Sequence, residues 1–464
     1  MARLTQWRQA AIPLSFSALF STPASSALIS KHDTPRGAVH GQSRPRSSWT
    51  LPVVTHQACY SRAVMPIACS AVAPARACNV SSRRSCVESH RSRQSASRAS
   101  GCRVVTCSLP SVSSPKTVTL VRHGQSTWNE EGRIQGSSDF SVLTRKGEAQ
   151  AERTRQMLDG ESFDVGFRSP LRRASRTAEV IWGARNGAAL VDLWVLREID
   201  LYSMQGLRKQ EGKSKLGVQY AAWKAAPADF EIDGHFPVRE LWERGAECWQ
   251  EVLRGEGKDV LVVAHNAVIQ AMTANALGLS PEYFRRLEQS NCGVTQFAFD
   301  TGGRVELLKL NQTDSPPVLG NLDDATKRGV FICTTSDEAG DTKNEATASQ
   351  VAAVLRDVTV ARALHDGHPA SVALATEVCA AVGGDAPNAI SSENIHDVLG
   401  DRTFTVFASA STIASFTARA LGTDAGFASK LRLTRGGITV VEFQNQTTDA
   451  RVACVNYAAH LGVS

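Results

Sequence analysis

From Thr117 onward, short apolar runs alternate with longer stretches whose apolar positions recur at helical spacing. Thr117–Val121 (TVTLV) is a β-branched run that predicts a strand ending in Arg122-His123-Gly124. Thr144 is placed to cap a helix reaching about Leu158, and Asp164–Arg168 predicts a second strand, closed by Ser169-Pro170. A helix should follow to about Trp182, with Pro170 in its first turn, where a missing N–H costs nothing. Val238, Leu241, Trp242, Gly245, Trp249, Val252 and Leu253 share one face of a further helix. Val260–Ala264 (VLVVA) is an unbroken apolar strand, followed by a helix from about Ala267 to Leu277 and strands near Val294–Phe299 and Val305–Leu310. Apolar strands alternating with helices predict an α/β fold of three layers, α/β/α, around a parallel sheet. In such folds the chemistry collects where strands end.

The pattern also repeats. Shifted by 144 residues, Val260–Gly278 meets Phe404–Gly422 without a gap, ending in a shared Ala-Leu-Gly. Further on, Leu287 meets Leu431, Gly293 meets Gly437, Thr295 meets Thr439 and Phe299 meets Phe443. Any two α/β units share some matches, but a gapless register of this length predicts a second, degenerate copy over 328–464. In it Ser409 stands for His265, Val330–Thr335 stands for the first strand end, and Ser371 or Val372 stands for Arg173. The division expected is a leader over 1–115, a first domain over 116–312, a linker over 313–327 and the copy over 328–464, which could pack on the first domain and cover its sheet edge, bind a regulatory ligand or mediate pairing.

Composition changes the picture mainly at the N-terminus. The chain has 464 residues, 42% hydrophobic and 21% charged, which excludes a wholly disordered or collagen-like protein. Residues 1–115 hold 23 Ser and 14 Lys and Arg against only Asp33 and Glu88, a balance of +12. An Arg- and Ser-rich, acid-poor segment without periodicity resembles an organelle transit peptide, a plastid one before a mitochondrial one, which points to the chloroplast stroma. A secretory signal around Ala10–Phe20 is the second reading. The other 349 residues carry 37 basic and 43 acidic side chains, which argues against a nucleic-acid surface. No apolar run approaches the ~20 residues of a membrane helix. Cys248, Cys292, Cys333, Cys379 and Cys454 lie far apart without a CxxC, so neither a disulfide framework nor a metal site is expected.

The candidate chemistry sits at strand ends. Arg122-His123-Gly124-Gln125-Ser126, with Asn129 close behind, offers an imidazole able to accept a phosphoryl group and a guanidinium to neutralise its oxygens. Ser169-Pro170-Leu171-Arg172-Arg173-Ala174 supplies a second arginine, Arg133-Ile134-Gln135-Gly136 a polar loop, and Ala264-His265-Asn266 a second strand-end histidine. Leu196-Arg197-Glu198-Ile199 places a carboxylate in a mostly apolar neighbourhood, where a raised pKa would suit an acid. The second reading is that it merely pairs with Arg197.

Taken together, LVRHGQSTWN, RIQG, SPLRRASRTAE, LREIDLYSMQG and VLVVAHN resemble the histidine phosphatase, or phosphoglycerate mutase-like, superfamily over about residues 116–300. Within it the likeness is strongest to plastid phosphatases of a sugar-acid phosphate. The resemblance implies that His123 becomes the phosphohistidine, Arg122 and Arg173 clamp the phosphate, and His265 touches the transferred group. It also implies that Glu198 protonates the leaving oxygen and that Asn129, Gln135 and Gly136 bind substrate. Asn266 departs from the glycine common in the family and adds an amide beside the pocket. Arg172 reads as a solvated helix residue. No metal or cofactor is implied, and the partner is a small phosphorylated sugar acid, not nucleic acid or membrane. Water on the phosphohistidine makes a phosphatase, and a second hydroxyl makes a mutase. Only 66 residues separate Glu198 from His265, too few for the long insertion of the cofactor-dependent mutases, which favours the phosphatase. A non-catalytic phospho-ligand binder is the third reading.

Overall fold

The computed structural model describes residues 109–183, 185, 189–315, 326–335, 347–356, 362–390, 403–444 and 450–461. The strands are β1 (Lys116–Arg122), β2 (Val165–Arg168), β3 (Ala189–Asp192), β4 (Asp259–Ala264), β5 (Val294–Phe299), β6 (Val305–Gln312), β7 (Thr326–Cys333), β8 (Ala363–His365), β9 (Asn388–Ala389), β10 (Thr403–Ala408), β11 (Ile438–Gln444) and β12 (Ala450–Tyr457). They form one twelve-stranded sheet in the order β3-β2-β4-β1-β5-β6-β12-β11-β7-β10-β8-β9.

Side chains alternate across the sheet, and both faces are covered. Val118 and Leu120 of β1 join Val260 and Val262 of β4 under the helices Pro237–Arg254 and Asn266–Leu277. Val121, Leu261 and Val263 point the other way, onto Leu158, Ala178, Ile181 and Trp182 at the helices Arg145–Met157 and Arg172–Trp182. Thr144 caps the first of these, its side chain accepting from Gly147 N at 3.1 Å. Pro170 is not in the first turn of the second. Leu171 is the N-cap and the helix begins at Arg172, so the proline ends the preceding loop.

The sheet is mixed, where a parallel one was predicted. β2, β3, β4 and β1 are parallel, but β5 runs antiparallel to β1, and β6 to β5. The five residues between β5 and β6 allow only a hairpin, because a parallel return needs a long crossover. The predicted leader also extends too far: Val112 is 6% exposed and packs in the main core. Residues 1–108 lie outside the described part. β7 starts at Thr326, two residues inside the expected linker. Among the described residues no helix is long and apolar enough to cross a membrane.

Candidate active site

β1 and β4 are parallel neighbours with Arg122 opposite Ala264, so the next residue on each is a histidine at the same level. The rings of His123 and His265 meet edge-on, centroids 5.1 Å apart. His123 N donates to Ala264 O at 2.9 Å, which ties the two strand ends together. The chain then turns through Gly124, where a Cβ would lie 2.5 Å from Gly147 O, so only glycine passes this close to the neighbouring helix. His123 Nδ1 lies 2.7 Å from Gly124 O. A carbonyl only accepts, so Nδ1 carries the proton and Nε2 keeps its lone pair.

The arginines are held by backbone carbonyls rather than by carboxylates. Arg122 donates through Nη1 to Gln289 O at 2.7 Å. Arg173 is fully buried and donates through Nη1 to Ser138 O at 2.6 Å and through Nη2 to Gly136 O at 2.9 Å. Nε of each arginine and Nδ1 of His265 are buried without a hydrogen-bond partner. Two guanidiniums with bonds to spare beside two imidazoles make a receptor for a dianion. Gly136 reaches Arg173 with its carbonyl by adopting a left-handed φ of 51°. Arg172 points away, exposed and paired with Asp139 at 3.3 Å.

Glu198 stands at the start of the helix Asn266–Leu277. Its Oε1 accepts from Ile199 N (3.0 Å), Ala267 N (3.1 Å) and Val268 N (3.3 Å), and Oε2 lies 3.2 Å from Ala267 N. The expected apolar neighbourhood is therefore corrected: His265 provides no side-chain cap, and the carboxylate satisfies the helix's orphan amides instead. Arg197 does not pair with it but lies over the Trp194 ring at 4.3 Å. Asn266 opens this helix and accepts from Gln270 Nε2 at 3.0 Å. Asn129 and Gln135 converge on Ser126, whose Oγ is 3.0 Å from Asn129 Oδ1 and 2.9 Å from Gln135 Oε1.

The structure adds residues that the sequence did not single out. Ser169 Oγ lies 2.8 Å from His265 Nε2. Thr177 accepts from Gly124 N at 3.1 Å and donates to Arg173 O at 2.8 Å. Asn291 donates to His123 O at 2.9 Å, and Arg244 to Glu198 O at 3.0 Å. Ser169 and Thr177 belong to the SPLRRASRTAE stretch, whereas Asn291 sits in a loop with no periodic signal.

Burial pushes His123 far below the ordinary imidazole range, and the adjacent Arg173 and Arg122 push it further. His265 is lowered as well, by burial first, then by Arg173, by the neighbouring His123, and by Arg122 and Arg244. Burial also draws Arg173 down to about 10, which leaves it charged at neutral pH. The site thus sets neutral imidazoles against cationic guanidiniums, an arrangement suited to nucleophilic attack on a phosphate. Among the described residues no three His, Cys, Asp or Glu side chains gather closely enough to hold a metal ion.

This fold is that of the histidine phosphatase superfamily. The family model "Histidine phosphatase superfamily (branch 1)" matches residues 118–313. A protein of Erwinia tasmaniensis named "Probable phosphoglycerate mutase GpmB" is 32% identical over 184 residues, 39% of this chain and 83% of its own. The chain belongs to the histidine phosphatase superfamily. It is 55% identical over 246 residues to "Probable 2-carboxy-D-arabinitol-1-phosphatase" of Arabidopsis thaliana, covering 52% of this chain and 51% of that one. It is 56% identical over 233 residues to "2-carboxy-D-arabinitol-1-phosphatase" of Triticum aestivum, covering 48% and 47%. The match therefore spans about half the length of these two plant proteins.

Proposed function

We propose that the protein is a phosphatase that hydrolyses the phosphate monoester of a small sugar acid through a phosphohistidine on His123. The observation that carries this reading is the orientation of His123, with Nδ1 committed to Gly124 O and Nε2 free beside Arg122, Arg173 and His265. Nε2 attacks phosphorus in line, and a P–N bond forms as the ester P–O bond breaks. The guanidiniums and His265 Nδ1 hold the charge that spreads over the phosphoryl oxygens. The departing alkoxide takes a proton from Glu198 Oε2, the carboxyl oxygen with a single amide contact. Water then gives a proton back to Glu198 and attacks phosphorus, releasing phosphate and neutral His123.

Asn129, Gln135, Gly136 and Asn266 line the substrate side in this reading. The names of the two plant relatives make 2-carboxy-D-arabinitol 1-phosphate the substrate we propose. The Ser- and Arg-rich composition of the N-terminal segment supports the chloroplast stroma as its location in the same reading.

The test is phosphate release by the full chain across sugar phosphates, with acid-labile, base-stable label followed on the protein during turnover. His123→Ala should lose the label and all but a few per cent of activity. Substantial activity in that variant would refute the mechanism. Label passing to a second sugar-acid hydroxyl without phosphate release would make the enzyme a mutase.

A further inference from the structure

Read from its two edges, the sheet has the same order twice: β3-β2-β4-β1-β5-β6 and β9-β8-β10-β7-β11-β12, joined antiparallel where Leu310 of β6 meets Val455 of β12. The registers agree as well as the order. Arg122 lies opposite Ala264, and Cys333 lies opposite Ala408. His123 N donates to Ala264 O at 2.9 Å, and Thr334 N to Ala408 O at 2.8 Å. Asn311 and Asn456 both adopt a left-handed φ, 54° and 57°, and each sends its amide across the joint at 2.8 Å, to Ala453 O and Leu308 O respectively.

This register puts Cys333, Thr334 and Ser409 where Arg122, His123 and His265 stand. Arg168 and His365 are equivalent strand ends, and each is followed after three residues by a helix N-cap, Leu171 or His368. Arg173 therefore corresponds to Ala370, not to the Ser371 or Val372 expected from the sequence. Only 13 residues join β9 to β10, against 66 between β3 and β4, so the second half has no room for the helical segment that follows Glu198. A carboxylate of the chain itself stands among the equivalent strand ends. Asp366, equivalent to Ser169, accepts from Ser409 N at 2.9 Å and His368 N at 3.0 Å.

What the second half does for the first is visible in one segment. Glu288 N donates to Val452 O at 2.9 Å, and Val452 N to Arg286 O at 2.8 Å, so β12 grips residues 286–288 as an added strand would. Arg451 reaches Glu288 at 3.4 Å and Glu442 at 2.5 Å, and Glu442 meets Arg328 at 3.0 Å. The very next residues serve the active site: Gln289 O receives Arg122, and Asn291 holds the His123 carbonyl. A line of alternating charge, Arg328, Glu442, Arg451, Glu288, thus runs from the core of the second half to the segment that seats the phosphate clamp.

We propose that residues 326–457 are a catalytically dead copy of the first domain, kept as a built-in partner that positions Arg122 and His123 through residues 286–291, with Arg451 the positioning residue. The proposal rests on the reading of Arg122 as a phosphate clamp.

Pseudo-symmetry supplies the control. Arg432 and Glu306 make the mirror contact at 3.0 Å, where Lys430 O and Arg432 N grip Leu307, so that pair secures the dead half. Arg451→Gln and Arg432→Gln each break one ion pair across the same joint, and Arg451→Gln also breaks the pair with Glu442 inside the second half. Binding of inorganic phosphate to the full chain by calorimetry, with melting temperature alongside, separates positioning from stability. Arg451→Gln should weaken phosphate binding about tenfold, with Arg451→Lys between it and the parent. Arg432→Gln should leave binding within about twofold while lowering the melting temperature comparably. Unchanged binding in Arg451→Gln, or equal weakening in both variants, overturns the proposal. If Arg451→Gln is insoluble, unchanged binding in Arg451→Lys does the same. The binding assay needs no turnover, so a failure to find any phosphatase substrate would refute the proposed function without touching this result.

Discussion

Two neutral histidines buried against two arginines make the protein sensitive to mild acid, in a direction that follows from the site. His123 is 2% and His265 0% exposed, and burial and the guanidiniums keep both from protonating in the folded chain. Once unfolded, each titrates near the ordinary value of about 6.5. Above that pH neither state binds the protons, and the pair contributes nothing to the pH dependence. Below it the unfolded chain takes up two protons that the native site refuses, so stability falls as pH falls. The slope has an upper limit of about 3 kcal/mol per pH unit for two groups, and the integrated loss at pH 5.5 an upper limit of about 3 kcal/mol. That is a large share of the 5–15 kcal/mol typical of a folded domain. Urea unfolding of the full chain at pH 7.5, 6.5 and 5.5 should show it. The double variant His123→Asn/His265→Asn should be less stable at pH 7.5 but lose less on acidification. Saturating phosphate should flatten the parent's slope, because a dianion between Arg122 and Arg173 favours imidazolium. Identical slopes in the parent and the double variant would refute the argument.

Arg173→Lys keeps the charge but loses the fork that reaches both Ser138 O and Gly136 O, and steady-state kinetics should show kcat/KM lower by about 10²-fold or more. Asn311→Ala removes a buried side chain that accepts from Ser290 N at 2.7 Å and crosses to Ala453 O, at a residue with φ of 54°. Chemical denaturation should report a loss of about 2–4 kcal/mol. The same burial leaves no space for a glycan at the Asn311-Gln312-Thr313 sequon, so intact-mass measurement of secreted recombinant protein should find Asn311 unmodified.

Much of the first half is legible because its pattern and its chemistry have a shared cause. A strand buried on both faces must be apolar throughout, so VLVVA announces β4, and the first polar residues after such a run lie at the strand end, where His265 emerges beside His123. The weaker elements carry no such signal. β3 has four residues, three of them exposed, and the helices Lys209–Leu216 and Val218–Ala225 bury only Gly212 and Trp223. Strand direction was misread because apolar runs identify burial and not orientation; the short β5–β6 connection held that information. Gln289 was invisible because it serves Arg122 with a backbone carbonyl, which every residue type has. Glu198 was placed in an apolar setting because its flanking residues are apolar, but besides the Ile199 amide its partners are the amides of Ala267 and Val268, 69 and 70 residues further along the chain.

The second half shows which positions a sheet of this kind requires and which only the chemistry requires. Gly293 and Gly437 both pass so close to Asn311 or Asn456 that a Cβ would collide with the amide oxygen. Thr295 and Thr439 each accept from the backbone N–H of that asparagine, at 3.1 and 3.2 Å. Both sets lie at the joint between the halves, and both are intact in each. At the strand ends nothing of the kind holds: Thr334 and Ser409 stand where the first half has His123 and His265, and Ala370 where it has Arg173. The replacements are small or self-satisfied, since Thr334 Oγ1 and Ser371 Oγ are 2.7 Å apart and Asp366 supplies the anion that the helix after β10 would otherwise lack. A receptor for phosphate must keep cationic donors unsatisfied, at a cost in stability. In a half that binds no phosphate, as proposed, that cost is not offset, and the paired hydroxyls and the Asp366 carboxylate stabilise it. Retention of the joint alongside loss of the site is therefore the outcome expected if the second half is held for what it grips.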